Sequence, residues 1–281
     1  MPGKILRKKF CLWALLLACQ LLPGGCSNDL LGLFRSNGLD ERLREKDSFR
    51  YLLPEEMELN LGAGYSFIVV SDTHIENGSA KELEELRDRI IADSEIKFVV
   101  ITGDITQNGD RRDLEKALEI AASLRSSGKP CYPVIGNHDV YFNNWRNWKE
   151  LIGSTRYRIN GGTATLFMLD SANACFGKEQ LDWLERGIKS AEGRVFVFTH
   201  ANLFTKGPAD MQQITDFRER ARLCSILSGS CDIMFQGHIH KEIATKVSGV
   251  LYLCVKDFRD YKTYCRVTVD GGGVSYRFEK L

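Results

Sequence analysis

From residue 65 onward, the chain alternates short apolar runs with amphipathic segments, and this alternation limits the folds it can adopt. The apolar runs are five to seven residues long and rich in Val, Ile and Phe, which is typical of buried strands. The segments between them have helical spacing, as in Leu83, Leu86 and Ile90. Residues 75–102 and 110–135 each give room for a helix and a returning strand, so we expect crossover connections between parallel strands.

The predicted elements form two groups. Alternating strands and helices come first, and a strand-rich tail follows. The predicted strands cover residues 66–70, 97–102, 131–135, 164–169, 194–199, 231–236, 241–247, 250–255, 263–269 and 274–278, and the predicted helices cover residues 79–92, 110–124, 178–188 and 210–227. Ser79 and Glu82 have the spacing of a capping box, and Gly128 is placed to end the second helix. The pattern predicts a mixed α/β sandwich in a single domain, residues 64–281.

The first 25 residues are expected to be an export signal. Four cations precede an apolar run, Phe10 to Leu22, that is shorter than the roughly 20 residues a membrane span requires. Gly24 and Gly25 stand before Cys26, and small residues before a cysteine resemble a bacterial lipoprotein processing site. We therefore expect export to the cell envelope and a lipid anchor in a bacterial membrane at Cys26, with residues 26–63 as tether and lead-in. Processing at Cys19 and a plain secretory signal are the alternatives.

Charge and cysteine usage narrow the class of protein further. The net charge is +1, but the leader contributes four cations and no acid, so the remaining chain is mildly acidic. An acidic body lacks the basic surface that grips a polyanion, and a dedicated nucleic-acid binder is therefore not expected. Beyond the leader lie six cysteines, none in a C-x-x-C pair; they are Cys131, Cys175, Cys224, Cys231, Cys254 and Cys265. We expect buried thiols, although export permits disulfides, and Cys224 with Cys231 is the nearest pair.

All five histidines lie just after predicted strands. They are His74, His138, His200, His238 and His240. Acids and an amide accompany them: Asp72 stands two residues before His74, Asp104 ends the second strand, and Asn137 and Asp139 flank His138. In α/β sheets ligands bind beyond the carboxyl ends of the strands, so these side chains are expected to converge. Residues two apart in an extended segment point the same way, which lets Asp72 and His74 reach one metal together.

This collection of side chains predicts two metal ions. Seven nitrogen or oxygen donors exceed the four of a tetrahedral zinc site; they are Asp72, His74, Asp104, Asn137, His200, His238 and His240. Two divalent ions suit them, with Asp104 as the bridging carboxylate. Since no thiolate belongs to the set, Mn, Fe or Zn is expected. Asp170 also ends a predicted strand, but no histidine accompanies it, and we interpret it as structural.

The motifs together resemble the calcineurin-like metallophosphoesterases. Five blocks occur in the order of that family: Asp72-x-His74, Gly103-Asp104, Gly136-Asn137-His138-Asp139, His200 and Gly237-His238-x-His240. The resemblance covers residues 65–255 and implies a four-layer αββα sandwich of two mixed β-sheets flanked by helices. It also implies a first metal on Asp72, His74, Asp104 and His240, and a second on Asp104, Asn137, His200 and His238. His138 would be the non-ligand histidine beside the phosphate, oriented by Asp139.

The implied activity is hydrolysis of a small phosphoester. Two metals would clamp the phosphoryl group and lower the pKa of a bridging water, and the resulting hydroxide would attack phosphorus in line. His138 would donate a proton or hydrogen bond to the leaving oxygen. Phosphodiesters are the first substrate class expected and phosphomonoesters the second. A surface lipoprotein that only binds its ligand and a nuclease are the rival hypotheses.

Two further details refine this interpretation. Purple acid phosphatases carry a tyrosine ligand shortly after the Gly-Asp motif, whereas Ile105, Thr106 and Gln107 stand here, which argues against a tyrosinate-bound Fe(III). The Asn108-Gly109 pair and the compact size look more like the class III cyclic nucleotide phosphodiesterase and glycerophosphodiesterase-like branch. Trp145 and Trp148 follow the third motif, where packing is favoured over a role in the wall of a substrate cleft.

Overall fold

The structure is a computed structural model that describes residues 38–44, 53–142, 144–204, 213–214 and 216–281. The predicted leader, with Cys19 and Cys26, lies outside the described residues. Within them, no helix has the length and apolar character needed to cross a membrane.

A seven-stranded mixed sheet forms one half of the sandwich. Its strands are β1 (Glu56–Glu58), β5 (Tyr157–Asn160), β6 (Ala164–Met168), β7 (Arg194–Phe198), β8 (Ile233–Gln236), β9 (Ile243–Val247) and β10 (Val250–Cys254). They lie in the order β1-β5-β6-β7-β8-β10-β9. The central strands β6, β7 and β8 are parallel, so their carboxyl ends lie at one edge.

A five-stranded mixed sheet forms the other half. Its strands are β2 (Tyr65–Val70), β3 (Ile96–Thr102), β4 (Cys131–Val134), β11 (Thr263–Asp270) and β12 (Gly273–Lys280), in the order β12-β11-β2-β3-β4. The three strands β2, β3 and β4 are parallel and joined by helices, as the alternation predicts. The tail strands β11 and β12 add antiparallel to β2 and to each other.

Seven α-helices lie among the described residues, and four of them cover the outer faces of the sheets. The seven are α1 (Leu39–Arg44), α2 (Lys81–Ala92), α3 (Arg111–Ser126), α4 (Trp145–Leu151), α5 (Gly177–Lys189), α6 (Phe217–Leu227) and α7 (Phe258–Tyr261). A short 3-10 turn covers His138–Val140. The apolar faces of α2 and α3 pack on the five-stranded sheet. Those of α5 and α6 pack on the seven-stranded sheet in a second apolar cluster.

The two sheets meet through a dense aromatic layer. The Phe67 ring on β2 lies 5.2 Å from that of Phe196 and 6.0 Å from that of Phe235, both on the opposite sheet. Edge-to-face rings at such distances stabilise a core beyond the burial of their area alone. Helices outside two packed sheets make the four-layer αββα sandwich, so the expected fold class is confirmed.

Part of the predicted lead-in, residues 26–63, packs with the domain. Strand β1 pairs with β5, and α1 contacts α5. Arg42 on α1 makes two hydrogen bonds of 2.7 Å to Asp170, and both side chains are fully buried. Removing one partner of such a pair would leave a buried charge unpaired. The packed fold thus begins before residue 64, and Asp170 has the structural role expected of it.

Two helix starts differ from the sequence prediction. The capping box of Ser79 and Glu82 is wrong, because α2 begins at Lys81 with Ala80 at its N-cap and no side-chain cap. Helix α6 begins at Phe217, because the Asp216 carboxylate accepts the backbone N–H groups of Arg218 and Glu219. Of the predicted start of that helix, residues 210–212 lie outside the described residues. Among the described residues none of the six cysteines forms a disulfide; five of them are buried and Cys224 is partly exposed.

Candidate metal centre

The five strand ends that carry the predicted donors meet at one edge of the sandwich. The loop after β2 lies along the loop after β3, with Asp72 N donating to Gly103 O (3.1 Å) and His74 N to Asp104 O (2.9 Å). Gly237 N donates to His200 O (2.9 Å), which joins the ends of β8 and β7. The two sheets are linked where His238 N donates to Asp72 Oδ2 (3.0 Å). Convergence is therefore confirmed, and it spans both sheets.

Three glycines allow these loops to approach one another. A Cβ on Gly103 would lie 2.5 Å from the His200 ring, and one on Gly136 would collide with the backbone of Asp104. A Cβ on Gly237 would meet Ser71 and Asp72. Only Gly103 of the three has a positive φ, so close backbone approach explains the need for glycine at the other two.

Five of the predicted ligands have left-handed backbone. The φ angles are +53° at Asp72, +42° at His74, +48° at Asp104, +74° at His238 and +54° at His240. A residue with a Cβ pays roughly 1–3 kcal/mol in such a region and persists there only when its surroundings hold it. The surrounding hydrogen bonds and glycines supply that constraint here, so the side chains are aimed by a strained backbone.

Four of the predicted ligands form a tight group that we term the closed cluster: Asp104, Asn137, His200 and His238. His200 Nε2 lies 2.9 Å from Asn137 Oδ1, 3.2 Å from His238 Nδ1 and 3.2 Å from Asp104 Oδ2. The other ring nitrogen of His200 lies 2.9 Å from the Thr102 carbonyl, to which its N–H donates. That hydrogen bond leaves His200 Nε2 facing the ligand atoms of Asn137, His238 and Asp104.

The remaining predicted ligands are Asp72, His74 and His240, which with the shared Asp104 form a wider group, termed the open cluster. His74 and Asp104 also form a third group of possible donors with His138. Asp72 Oδ1 lies 3.3 Å from His240 Nε2 and 3.9 Å from His74 Nε2. Within the described residues, neither ring nitrogen of the buried His74 has a hydrogen-bond partner, nor has Asp72 Oδ1. Buried polar atoms without partners are costly, and a cation between Asp72 Oδ1 and His74 Nε2 would satisfy both of these atoms.

One carboxylate oxygen belongs to both groups. Asp104 Oδ2 lies 3.2 Å from His200 Nε2 and 3.9 Å from His74 Nε2, while Asp104 Oδ1 accepts the backbone N–H of His138 (2.8 Å). Burial opposes ionisation of Asp104, but the nearby imidazoles of His200, His138 and His74 hold its pKa well below its usual range. A single ionised oxygen can thus contact two cations at once.

The electrostatics of the closed cluster also favour a cation. Burial is the largest single influence and lowers the pKa of His200. The charge and hydrogen bond of Asp104, the charge of Asp72 and the hydrogen bond to Thr102 together outweigh it and raise the pKa to about 9. Without a metal, a proton on Nε2 therefore supplies the positive charge that this point of the site stabilises. The donor set is oxygen and imidazole nitrogen only, which suits Mn, Fe or Zn, and the residues present fit a pair of divalent ions.

The environment of His138 differs from the prediction in one respect. Its Nε2 lies 3.9 Å from Asp104 Oδ2, and its Nδ1 lies 2.7 Å from the Gln107 carbonyl. The expectation that Asp139 orients this ring is wrong. The carboxylate of Asp139 instead accepts the backbone N–H groups of Thr106, Gly136 and Ile105 at 3.0–3.3 Å.

Asp139 therefore joins the loops that follow β3 and β4. Burial, together with the charge of Asp104, raises its pKa to about 6. Its oxygens accept from these backbone amides and from the Thr106 hydroxyl, whereas the His138 ring has its partner in the Gln107 carbonyl. The side chain acts on the centre by fixing the loops that carry Asp104 and Asn137.

Other residues that contact the ligands were not found by sequence reasoning. The Asn137 Nδ2 amide donates to the Tyr141 hydroxyl (2.8 Å), which turns Asn137 Oδ1 toward His200. The position of Tyr141, four residues after Asn137, was the available signal. Trp145 and Trp148 are fully buried, so the preference for packing over a cleft wall is confirmed.

Comparisons with known proteins agree with this geometry. The model of the calcineurin-like phosphoesterase family matches residues 65–242. A probable cyclic nucleotide phosphodiesterase from Fibrobacter succinogenes is 25% identical over 54% of this chain and 61% of its own length. The chain thus aligns with less than two thirds of that relative.

Solved structures show the same fold. A dimetal phosphatase from Danio rerio has a TM-score of 0.58 and 14% identity, covering 76% of this chain and 95% of that one. A purple acid phosphatase from yellow lupin (Lupinus luteus) has a TM-score of 0.59 and 13% identity, covering 79% of this chain and 52% of that one. The family match spans more than half of the chain and includes every predicted metal ligand. This chain therefore belongs to the calcineurin-like phosphoesterase family.

Proposed function

We propose that this protein is a binuclear metal-dependent hydrolase of small phosphodiesters. The observation that carries the proposal is the pair of donor clusters sharing Asp104 Oδ2, at the edge where five strands end. Membership of a phosphoesterase family supports the reaction class. The name of the Fibrobacter succinogenes relative, a cyclic nucleotide phosphodiesterase, favours diesters over monoesters.

The proposed roles follow the two clusters. Asp72, His74, Asp104 and His240 would hold the first ion, and Asp104, Asn137, His200 and His238 would hold the second. When bound, the two ions supply an activated water and neutralise charge on the phosphoryl oxygens. Their identity is proposed to be Mn, Fe or Zn, because the donors are imidazoles and oxygens.

His138 is proposed as the proton donor to the leaving oxygen. Its Nδ1–H donates to the Gln107 carbonyl, which holds the ring so that Nε2 faces the shared carboxylate. The side chain is 24% exposed, so a proton lost from Nε2 can be replaced from solvent. Protonation at this position would stabilise an alkoxide leaving group, which departs poorly as an anion.

Turnover after removal and return of metals tests the proposal. The protein is stripped with a chelator, and hydrolysis of bis(p-nitrophenyl) phosphate and p-nitrophenyl phosphate is measured with Mn, Fe, Zn or Mg restored. We expect no activity without metal and faster turnover of the diester than of the monoester. Two bound metals with no turnover of either ester would favour the rival ligand-binding module. Metal-dependent cleavage of DNA would favour a nuclease.

We also propose that the protein is exported and anchored by a lipid on Cys26. The basic, then apolar leader and the small residues before Cys26 support this proposal. Cys26→Ser is expected to abolish lipid labelling and to release the protein from membranes, while Cys19→Ser should change neither. The opposite pattern would place processing at Cys19, and membrane retention of both variants would refute lipid anchoring.

A further inference from the structure

A buried carboxylate outside the family motifs lies beside the open cluster. It belongs to Asp257, which follows β10 and is fully buried. The residues after it are tied to the strand end that carries Asp72. Phe258 N donates to Ser71 O (2.8 Å), and Arg259 N donates to Asp72 O (3.2 Å). The backbone therefore holds Asp257 at a fixed place next to the centre.

The two oxygens of Asp257 have different surroundings. Oδ2 accepts the backbone N–H of Asp260 (3.1 Å) and caps the short helix α7. Oδ1 is buried and has no hydrogen-bond partner among the described residues. It lies 3.8 Å from His240 Nδ1, while His240 Nε2 lies 3.3 Å from Asp72 Oδ1. The imidazole of His240 thus stands between two carboxylates, with one nitrogen toward each.

This arrangement would orient the imidazole ring if His240 binds a metal through Nε2. The proton then stays on Nδ1, and an acceptor for it fixes the tautomer and the orientation of the ring. His200 shows the same arrangement already closed, with its Nδ1–H donated to the Thr102 carbonyl at 2.9 Å. The His240 side chain is 41% exposed, so packing alone restrains it little.

We propose that Asp257 is a positioning residue, which accepts the Nδ1–H of His240 and holds Nε2 toward the first ion. The inference rests on the metal centre of the proposed function. It assigns to Asp257 a selective effect on one of two metal sites, because its free carboxylate oxygen faces His240, a ligand of the open cluster. Outer partners of metal-binding histidines typically contribute about 10–100-fold to metal affinity.

Three variants separate this role from simple structural support. Asp257→Ser keeps an oxygen that can cap α7 but is too short to reach His240. Asp257→Asn keeps an acceptor oxygen for His240 without the charge, at the cost of the second acceptor, which caps α7. Asp260→Ser removes an exposed carboxylate from the same helix and is the matched control for charge.

Metal affinity, measured by competition with a chelator on the full chain, is the first readout. We expect Asp257→Ser to weaken the first Mn or Zn ion by about 10–100-fold and the second by no more than about twofold. Asp257→Asn should recover most of this loss, and Asp260→Ser should bind both ions as the wild type does. The unfolding midpoint of the metal-free protein should be equal for Asp257→Ser and wild type.

A spectroscopic readout reports the hydrogen bond itself. In zinc-loaded protein labelled with 15N-histidine, His240 should give a protected Nδ1 proton signal that Asp257→Ser abolishes. Wild-type affinity for the first ion in Asp257→Ser, or an equal loss in Asp260→Ser, would overturn the proposal while leaving the metal centre intact. A wild-type protein that binds no divalent ion would overturn both this proposal and the proposed function.

Discussion

The closed and open clusters of the metal centre differ in the spacing of their donor atoms and in their negative charge. In the closed cluster, the His200 nitrogen lies within 3.2 Å of donor atoms from Asn137, His238 and Asp104. In the open cluster, the corresponding distances are 3.3–3.9 Å. The closed cluster has one carboxylate, the shared Asp104, whereas the open cluster also has Asp72. Preassembled donors and negative charge are therefore separate means of binding a cation. The closed cluster has the preassembled donors, and the open cluster has the additional negative charge.

The magnitudes favour charge as the stronger effect. Ordering one side chain costs about 0.5–1.5 kcal/mol. An added unit charge about 4 Å from a cation contributes roughly 4 kcal/mol at the effective dielectric of a protein site. We therefore expect the open cluster to hold its ion more tightly despite its looser donors, and the following predictions test this comparison.

The largest effect is expected at the residue that both clusters share. Asp104→Asn removes the charge that each ion contacts, so both metals should be lost. Losing both removes several kcal/mol of charge stabilisation, and 1.36 kcal/mol corresponds to tenfold, so turnover should fall at least about 10³-fold. Metal analysis and diester turnover check this. A variant that keeps two metals and near-native turnover would exclude the bridging role.

His138 should belong to neither cluster. His138→Ala is expected to keep both metals and to lower kcat by about 10²–10⁴-fold, the usual scale of general acid catalysis. The deficit should be smaller for p-nitrophenyl esters than for alkyl esters, because p-nitrophenolate needs no protonation to leave. If the variant loses a metal instead, His138 is a ligand of the open cluster, and the open cluster then has one more donor than the comparison above gives it.

Dialysis against graded chelator separates the clusters in the wild type. We expect two release steps that differ by at least about tenfold in affinity, with the ion of the closed cluster leaving first. His74→Ala should remove the tighter step and His200→Ala the weaker one, as metal content per chain will show. The reverse order would mean that preassembled donors outweigh charge in this site.

Adding a negative charge to the closed cluster should reduce the difference in metal affinity between the two clusters. Asn137→Asp preserves the shape of the side chain, and the Tyr141 hydroxyl that now accepts from Asn137 can rotate to donate to a carboxylate. We expect about tenfold tighter binding of the second ion, part of the Coulomb gain being lost to burial. Calorimetric titration with Mn measures it, with Tyr141→Phe as the control for the hydroxyl. Unchanged affinity would show that charge is not limiting there.

The sequence predicted the residues of the centre better than the contacts among them. Strand ends are local features, and parallel strands bring them to one edge, so Asp72, Asp104 and Asn137 could be placed together without coordinates. The hydrogen-bond acceptor of His138 could not be predicted, because it is the backbone carbonyl of Gln107, a group that any residue would supply. Asp139 was given the wrong partner for the same reason, since three backbone amides compete for it.

Contacts across long stretches of chain were equally hidden. Arg42 pairs with Asp170, 128 residues away, and neither has a local pattern that indicates the other. Asp257 reaches His240 only because β10 returns alongside β8. The fold class, by contrast, depends on the alternation of strands and helices, which is repeated along the chain and is therefore robust to errors at single boundaries.

The left-handed backbone at five ligands has a consequence for how such a protein changes over generations. Each of those residues costs about 1–3 kcal/mol that glycine would avoid, and a whole domain is stable by only about 5–15 kcal/mol. Metal binding and stability of the fold therefore favour different residues at five positions, which are Asp72, His74, Asp104, His238 and His240. A descendant released from selection for turnover would gain stability by replacing the histidines among them with glycine, so disuse would erode the centre sooner than the scaffold around it.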